Sequence, residues 1–125
     1  MSRAIYRSNG FTLVEVVVAL VVFTIGLLAI TAMQIVSTKG GYFSNNVTQA
    51  TIFAQDKLEN LKDLSYSDPQ LASGQHDEGE MSGTVFSRQY NIVEDTGNSF
   101  KTITVTVQWV DRGNHSLSFT TIRSK

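Results

Sequence analysis

Apolar and polar positions follow three different rhythms along this chain. From Val16 to Thr38 there is no charge at all, over 23 residues. About 20 predominantly apolar residues in a helix cross a bilayer core, so this run is long enough to span. Its apolar body is Val16, Val17, Val18, Ala19, Leu20, Val21, Val22, Phe23, Ile25, Leu27, Leu28 and Ile30, with Thr24, Gly26, Thr31 and Gln34 as mild interruptions. Further on, Val47, Ala50, Ala54, Leu58 and Leu61 recur at spacings of three and four, with Phe43 one step earlier. That rhythm predicts one apolar stripe on an amphipathic helix, with Gln49, Gln55, Lys57, Glu59, Lys62 and Asp63 on its other faces.

The two stretches read as one helix, from near Phe11 to between Leu64 and Tyr66, where Asp68-Pro69 signals a stop. Gly40-Gly41 is the expected soft point, since glycine costs about 1 kcal/mol in a helix interior. Ser67 to Gly83 reads as loop. The rhythm then becomes two. Phe86, Arg88, Tyr90 and Ile92 form one alternating run, and Ile103, Val105, Val107 and Trp109 form the clearest. Leu117, Phe119 and Thr121 form a weaker third. Asp95-Thr96-Gly97-Asn98 and Asp111-Arg112-Gly113-Asn114 are the expected turns between them. The prediction is an α+β fold: a long N-terminal helix, half membrane-spanning and half amphipathic, packed on a small three-stranded antiparallel sheet.

Composition narrows the function classes. The chain has 125 residues, which suits one small domain. No cysteine means no disulfide, no thiolate zinc site and no cysteine nucleophile. A net charge of −1 argues against nucleic acid as a partner. His76, Asp77, Glu78 and Glu80 place four candidate metal ligands in five residues. They read as a solvated turn, because calcium wants about six to eight oxygen ligands. His115 is expected to be exposed and Trp109 to lie in the core. No grouping of side chains suggests catalysis, and neither a metal nor a cofactor is expected.

One carboxylate stands at the start of the apolar run. Glu15 lies between Val14 and Val16, and the nearest cations are Arg3 and Arg7. An ionised acid at the centre of a membrane helix costs roughly 2.5–3.5 kcal/mol on insertion scales, and less near its edge. Such a residue needs a cationic partner or a function. Arg3 and Arg7 also orient the span, keeping the N-terminus cytoplasmic and sending the C-terminal part outward. An ordinary secretory signal would have a shorter apolar region, of about 7–15 residues, and a small-x-small cleavage site.

Gly10-Phe11-Thr12-Leu13-Val14-Glu15, after a short basic leader and before an apolar run, resembles the type IV prepilin cleavage and methylation signal. The resemblance implies a membrane-embedded prepilin peptidase that cuts between Gly10 and Phe11 and N-methylates the new Phe11 amine. Glycine before the cut lets a catalytic pair approach the backbone closely. Glu15 would then pair with the N-terminal amine of a neighbouring subunit.

Glu15 to Phe23, Ile25 to Ala29 and Ala54 to Leu61 are most similar to minor pilins of the PilV kind, the type IV pilus modification group. On that resemblance, residues 1–10 are a leader, 11–38 the membrane and filament-core half of the helix, and 39–125 a globular head. The chain would be a structural subunit rather than an enzyme. It would be held in the bacterial inner membrane as a single-pass protein with a periplasmic head, surrounded by lipid, and then packed with other pilin subunits in a surface fibre. Two alternatives stay open: a minor pseudopilin of a type II secretion or DNA-uptake system, and an unrelated membrane-anchored binding domain. The absence of a proline near Ala32, and of cysteines, departs from many major pilins and favours a minor role.

Overall fold

The computed structural model describes residues 10–97 and 99–125. Its elements are a helix α1 (Leu13–Asp63), a single 3-10 turn (Pro69–Leu71), and strands β1 (Gly74–Glu80), β2 (Phe86–Asp95), β3 (Phe100–Val110) and β4 (Asn114–Ser124). The chain divides into two compact units, one ending at Gly40 and the other running from Gly41 to Lys125.

In the first unit the helix begins at Leu13, two residues later than expected. Thr12 supplies the reason: its Oγ1 accepts the Glu15 N–H at 3.3 Å, which satisfies a donor that the first turn would otherwise leave orphaned. The apolar side chains from Leu13 to Val36 are exposed within the chain, so this stretch has no intramolecular core. Its polar side chains are quietened locally. Thr24 donates to the Leu20 carbonyl at 2.7 Å, Thr31 to Leu27 at 2.9 Å and Thr38 to Gln34 at 2.9 Å. Hydroxyls bonded to their own helix carry little polarity into lipid. The helical backbone continues through Gly26, Gly40 and Gly41, so the glycines bring no break in secondary structure.

In the second unit the helix ends at Asp63, one residue short of the expected range. Asp68-Pro69 does more than stop it. The Asp68 carboxylate accepts the Gln70 N–H at 2.9 Å, and Pro69 opens the 3-10 turn. The sheet has four strands in the order β1-β2-β3-β4, all antiparallel. The expected three-stranded sheet is therefore corrected. The added strand, β1, lies inside the segment read as loop, because Gly-Gln-His-Asp-Glu-Gly-Glu has no apolar alternation to reveal it. It is an edge strand with a register shift between Asp77 and Gly79, and Gly79 takes φ +70°, which suits glycine.

The inner face of the sheet makes the core. Phe86, Tyr90, Ile92, Ile103, Val105, Val107 and Trp109 pack with Ala50, Ala54 and Leu61 of the helix and with Leu71. Each large apolar side chain so buried contributes roughly 1.5–3 kcal/mol. Ala50 and Ala54 have no exposed surface; their small side chains let helix and sheet approach closely. The stripe from Val47 to Leu61 thus covers the sheet as its spacing implied, and Trp109 lies in the core as expected.

Two further corrections follow. Lys57, assigned to a polar face, is buried. His115 is half-buried, edge-on to Phe43 at 5.3 Å and stacked on Trp109 at 5.5 Å. The β3–β4 turn is a tight loop at Asp111-Arg112-Gly113, with Val110 paired to Asn114 and Arg112 at φ +55°. The Asp95–Asn98 turn closes with the Ser99 N–H on the Asp95 carbonyl at 3.1 Å. Its fourth residue, Asn98, is outside the described residues.

Candidate functional site

The scissile bond expected from the sequence, Gly10–Phe11, lies in non-helical backbone just ahead of the Thr12 cap. Phe11 is 83% exposed. A peptidase needs backbone free of helical hydrogen bonds, and the cap ends the helix before it can consume this bond. Thr12 and Glu15 form the Thr-x-x-Glu spacing of a capping box, a signal the sequence reading passed over. Glu15 also sits in the first turn of α1, where the helix dipole favours negative charge.

Glu15, Ala19 and Phe23 follow one another at intervals of four and share one face of the helix, and Phe11 lies just ahead of it. With Val16 and Leu20 they line an open groove of about 630 Å³. Ala19 leaves space beside the carboxylate, and the two phenylalanines wall it. Among the described residues Glu15 has no ion-pair partner. Arg3 and Arg7, and most of the expected leader, lie outside the described residues. This arrangement offers an exposed acid in an apolar setting. The span residues Val16 to Ile30 continue the same helix, with no residue from the second unit needed to form the groove.

The head contains a different grouping. Glu78 of β1 takes the Lys57 ammonium at 2.6 Å and the Arg88 Nε at 2.5 Å. Arg88 also donates to the Phe53 carbonyl at 3.1 Å. Partial burial pushes the Glu78 carboxyl up, but hydrogen bonds from Lys57 and Arg88, and their charges, outweigh it and hold the group below the ordinary glutamate range. Tyr90 is raised by burial first, then by the negative charges of Glu78 and Asp68. His76 stacks on Tyr90 at 4.6 Å, and the Lys57 ammonium lies 4.7 Å from the same ring.

The solvated turn expected at His76 to Glu80 is thus corrected: the segment is a strand, tied through Glu78 to the helix and to β2. Lys101 makes a comparable tie, donating to the Tyr66 and Leu71 carbonyls at 2.9 Å each. These groupings fasten loops and an edge strand to the core. They were missed because each joins residues 10 to 35 positions apart, beyond any local spacing rule.

The N-terminal features decide the comparison with known proteins. Residues 5–31 match the family model of the prokaryotic N-terminal methylation motif. The match covers Arg7, Gly10, Phe11, Glu15 and the apolar residues as far as Ile30. It supports a type IV pilin-like protein, processed by a prepilin peptidase and assembled with other pilins. The apolar helix is long enough to cross a membrane, consistent with an inner-membrane anchor. No curated protein and no solved structure matches the chain.

Proposed function

We propose that this protein is a minor pilin: a structural subunit cut between Gly10 and Phe11, N-methylated at Phe11, and packed by its apolar helix into a type IV pilus. The observation that carries this reading is the methylation motif at residues 5–31, lying over a non-helical Gly10–Phe11 bond and a first-turn Glu15 without a cation partner among the described residues. Cleavage converts the Phe11 nitrogen into a cationic amine in or near lipid. Glu15 of one subunit then takes the Phe11 amine of the next, and each neutralises the other where water is scarce. The groove between Phe11 and Phe23 is apolar enough to strengthen that attraction and open enough to admit the amine.

The helix supplies adhesion between subunits and the head covers the fibre. Similarity of Glu15 to Phe23 and of Ala54 to Leu61 to minor pilins of the modification group favours a priming or modifying part in assembly over bulk fibre. Intact-mass measurement of the membrane-extracted protein tests processing. The expected mass lacks residues 1–10 and gains one methyl group. A chain that keeps Met1 in assembled fibres defeats the proposal.

A further inference from the structure

β1 is held to the head by different means from the other strands. It supplies no side chain to the core, and none of its residues is buried. The strand at the opposite edge, β4, pairs with β3 from Asn114 to Ser124, and its Leu117 and Phe119 pack against the core. β1 pairs with β2 alone, from Gly74 facing Ile92 to Glu80 facing Ser87, with the register shift between Asp77 and Gly79. A ladder with no apolar burial of its own is the kind that opens locally, well below the free energy of global unfolding.

The residues on either side of β1 are anchored. Leu71 ahead of it has no exposed surface, and Phe86 after it is deep in the core. Met81 packs against the core, and its N–H donates to the Phe86 carbonyl at 2.9 Å. Between Leu71 and Phe86 lie three glycines at positive φ: Gly74 at +134°, Gly79 at +70° and Gly83 at +76°. A Cβ at any of them would meet nothing within 4 Å, so they serve the backbone conformation and not close packing.

Few side chains cross from β1 to the rest of the head. Gln75 donates to Gln89 at 3.0 Å, and His76 stacks on Tyr90 at 4.6 Å. The charged tie is Glu78, whose Oε1 takes the Lys57 ammonium and whose Oε2 takes the Arg88 Nε. Asp77 and Glu80 beside it have no ion pair among the described residues. Both cations have a second partner in the head: Arg88 the Phe53 carbonyl and Lys57 the Tyr90 ring. Neither is stranded when the carboxylate leaves.

We infer that β1 is a latched strap: it leaves the β2 edge as one unit while β2, β3, β4 and the covering helix stay folded, and the Glu78 carboxylate is the latch. Opening breaks one ladder and the contacts of Gln75, His76 and Glu78, and it takes no β1 side chain out of the core. The inference stands on the head alone and does not require the pilin reading.

Native-state amide hydrogen exchange of the full chain in lauryldimethylamine oxide micelles tests it. The β1 amides that bond to β2 are expected to share one opening equilibrium, at least about 100-fold more populated than the opening that frees the β3 amides of Ile103, Val105 and Val107. Glu78→Gln is expected to raise exchange of the β1 amides about fivefold, the scale of a partly exposed charge pair. Glu80→Gln is expected not to raise it. Glu78→Asp keeps the charge but shortens the reach to two cations; it is expected to raise exchange in the same direction, and it serves if Glu78→Gln folds poorly. Release of β1 and β3 amides through one common opening overturns the inference, as do β1 amides that exchange at unrelated rates. So does wild-type exchange of β1 in the Glu78 variants, or a rise in Glu80→Gln equal to theirs.

Discussion

Glu78 shows how one side chain can secure an edge strand. Its carboxylate receives Lys57 from the helix and Arg88 from β2, so β1 is tied to two other elements. The folded-state value of this carboxyl is depressed, so the stabilisation is present above the unfolded-state pKa, near 4.3 for a glutamate, and disappears as pH falls through the lower folded value. Glu78→Gln is expected to cost about 1 kcal/mol at neutral pH, discounted for the partial exposure of the group. Thermal unfolding of both chains should show a gap at pH 7 that closes in acid, once the pH has fallen through the depressed folded-state value. A gap of equal size at both pH values would show that packing, not charge, ties the strand. Lys57 and Arg88 are visible in the sequence as cations, but nothing local says that both face inward to one acid, 21 and 10 residues away respectively.

The elements differ in how openly they declare themselves. The helix was legible because a charge-free run and a stripe at spacings of three and four are local patterns, and β3 because Ile103 to Trp109 alternate without a break. β1 was not, because an edge strand of polar residues and glycine has no buried face to impose alternation. The helix start turns on one hydroxyl. Thr12→Ala is expected to cost about 1 kcal/mol of cap energy, read as faster amide hydrogen exchange at Leu13 to Glu15 in micelles, while Thr12→Ser keeps the protection. The covering stretch of the helix turns on size. Ala54→Leu pushes a large side chain into a contact with no exposed surface and is expected to destabilise the head by roughly 1–3 kcal/mol. A melting temperature that does not fall would show slack at that contact.

At the scale of the whole molecule, Glu15 has two physical uses that one experiment separates. As the third helical residue after Thr12 it can serve a capping box, which Gln serves equally well. As the partner of a neighbour's amine it must carry charge. Glu15→Gln is therefore expected to insert into the membrane with an unchanged helix start and yet be absent from sheared fibres, and Glu15→Ala to behave likewise in the fibre assay. Fibres that contain the Gln variant at the wild-type level would assign Glu15 to capping alone. The groove around it was only half legible. The sequence shows Glu15 among valines, but the face it shares with Ala19 and Phe23 emerges once the helix is known to start at Leu13, and Phe11 joins the groove from the non-helical backbone ahead of it.

By itself the sequence determined what local order can encode: an uncharged span, an acid at its head, an expected cut at Gly10–Phe11, an amphipathic stripe and the central strands. These follow from spacing along one segment, where helix and strand periods place side chains directly. Only the tertiary structure decided the fourth strand, the burial of Lys57, the half-burial of His115, and the inward turn of Arg88, Lys101 and Arg123. Those depend on which distant segments come together, because a charge moves inward only where carbonyls or carboxylates from elsewhere in the chain repay its lost hydration.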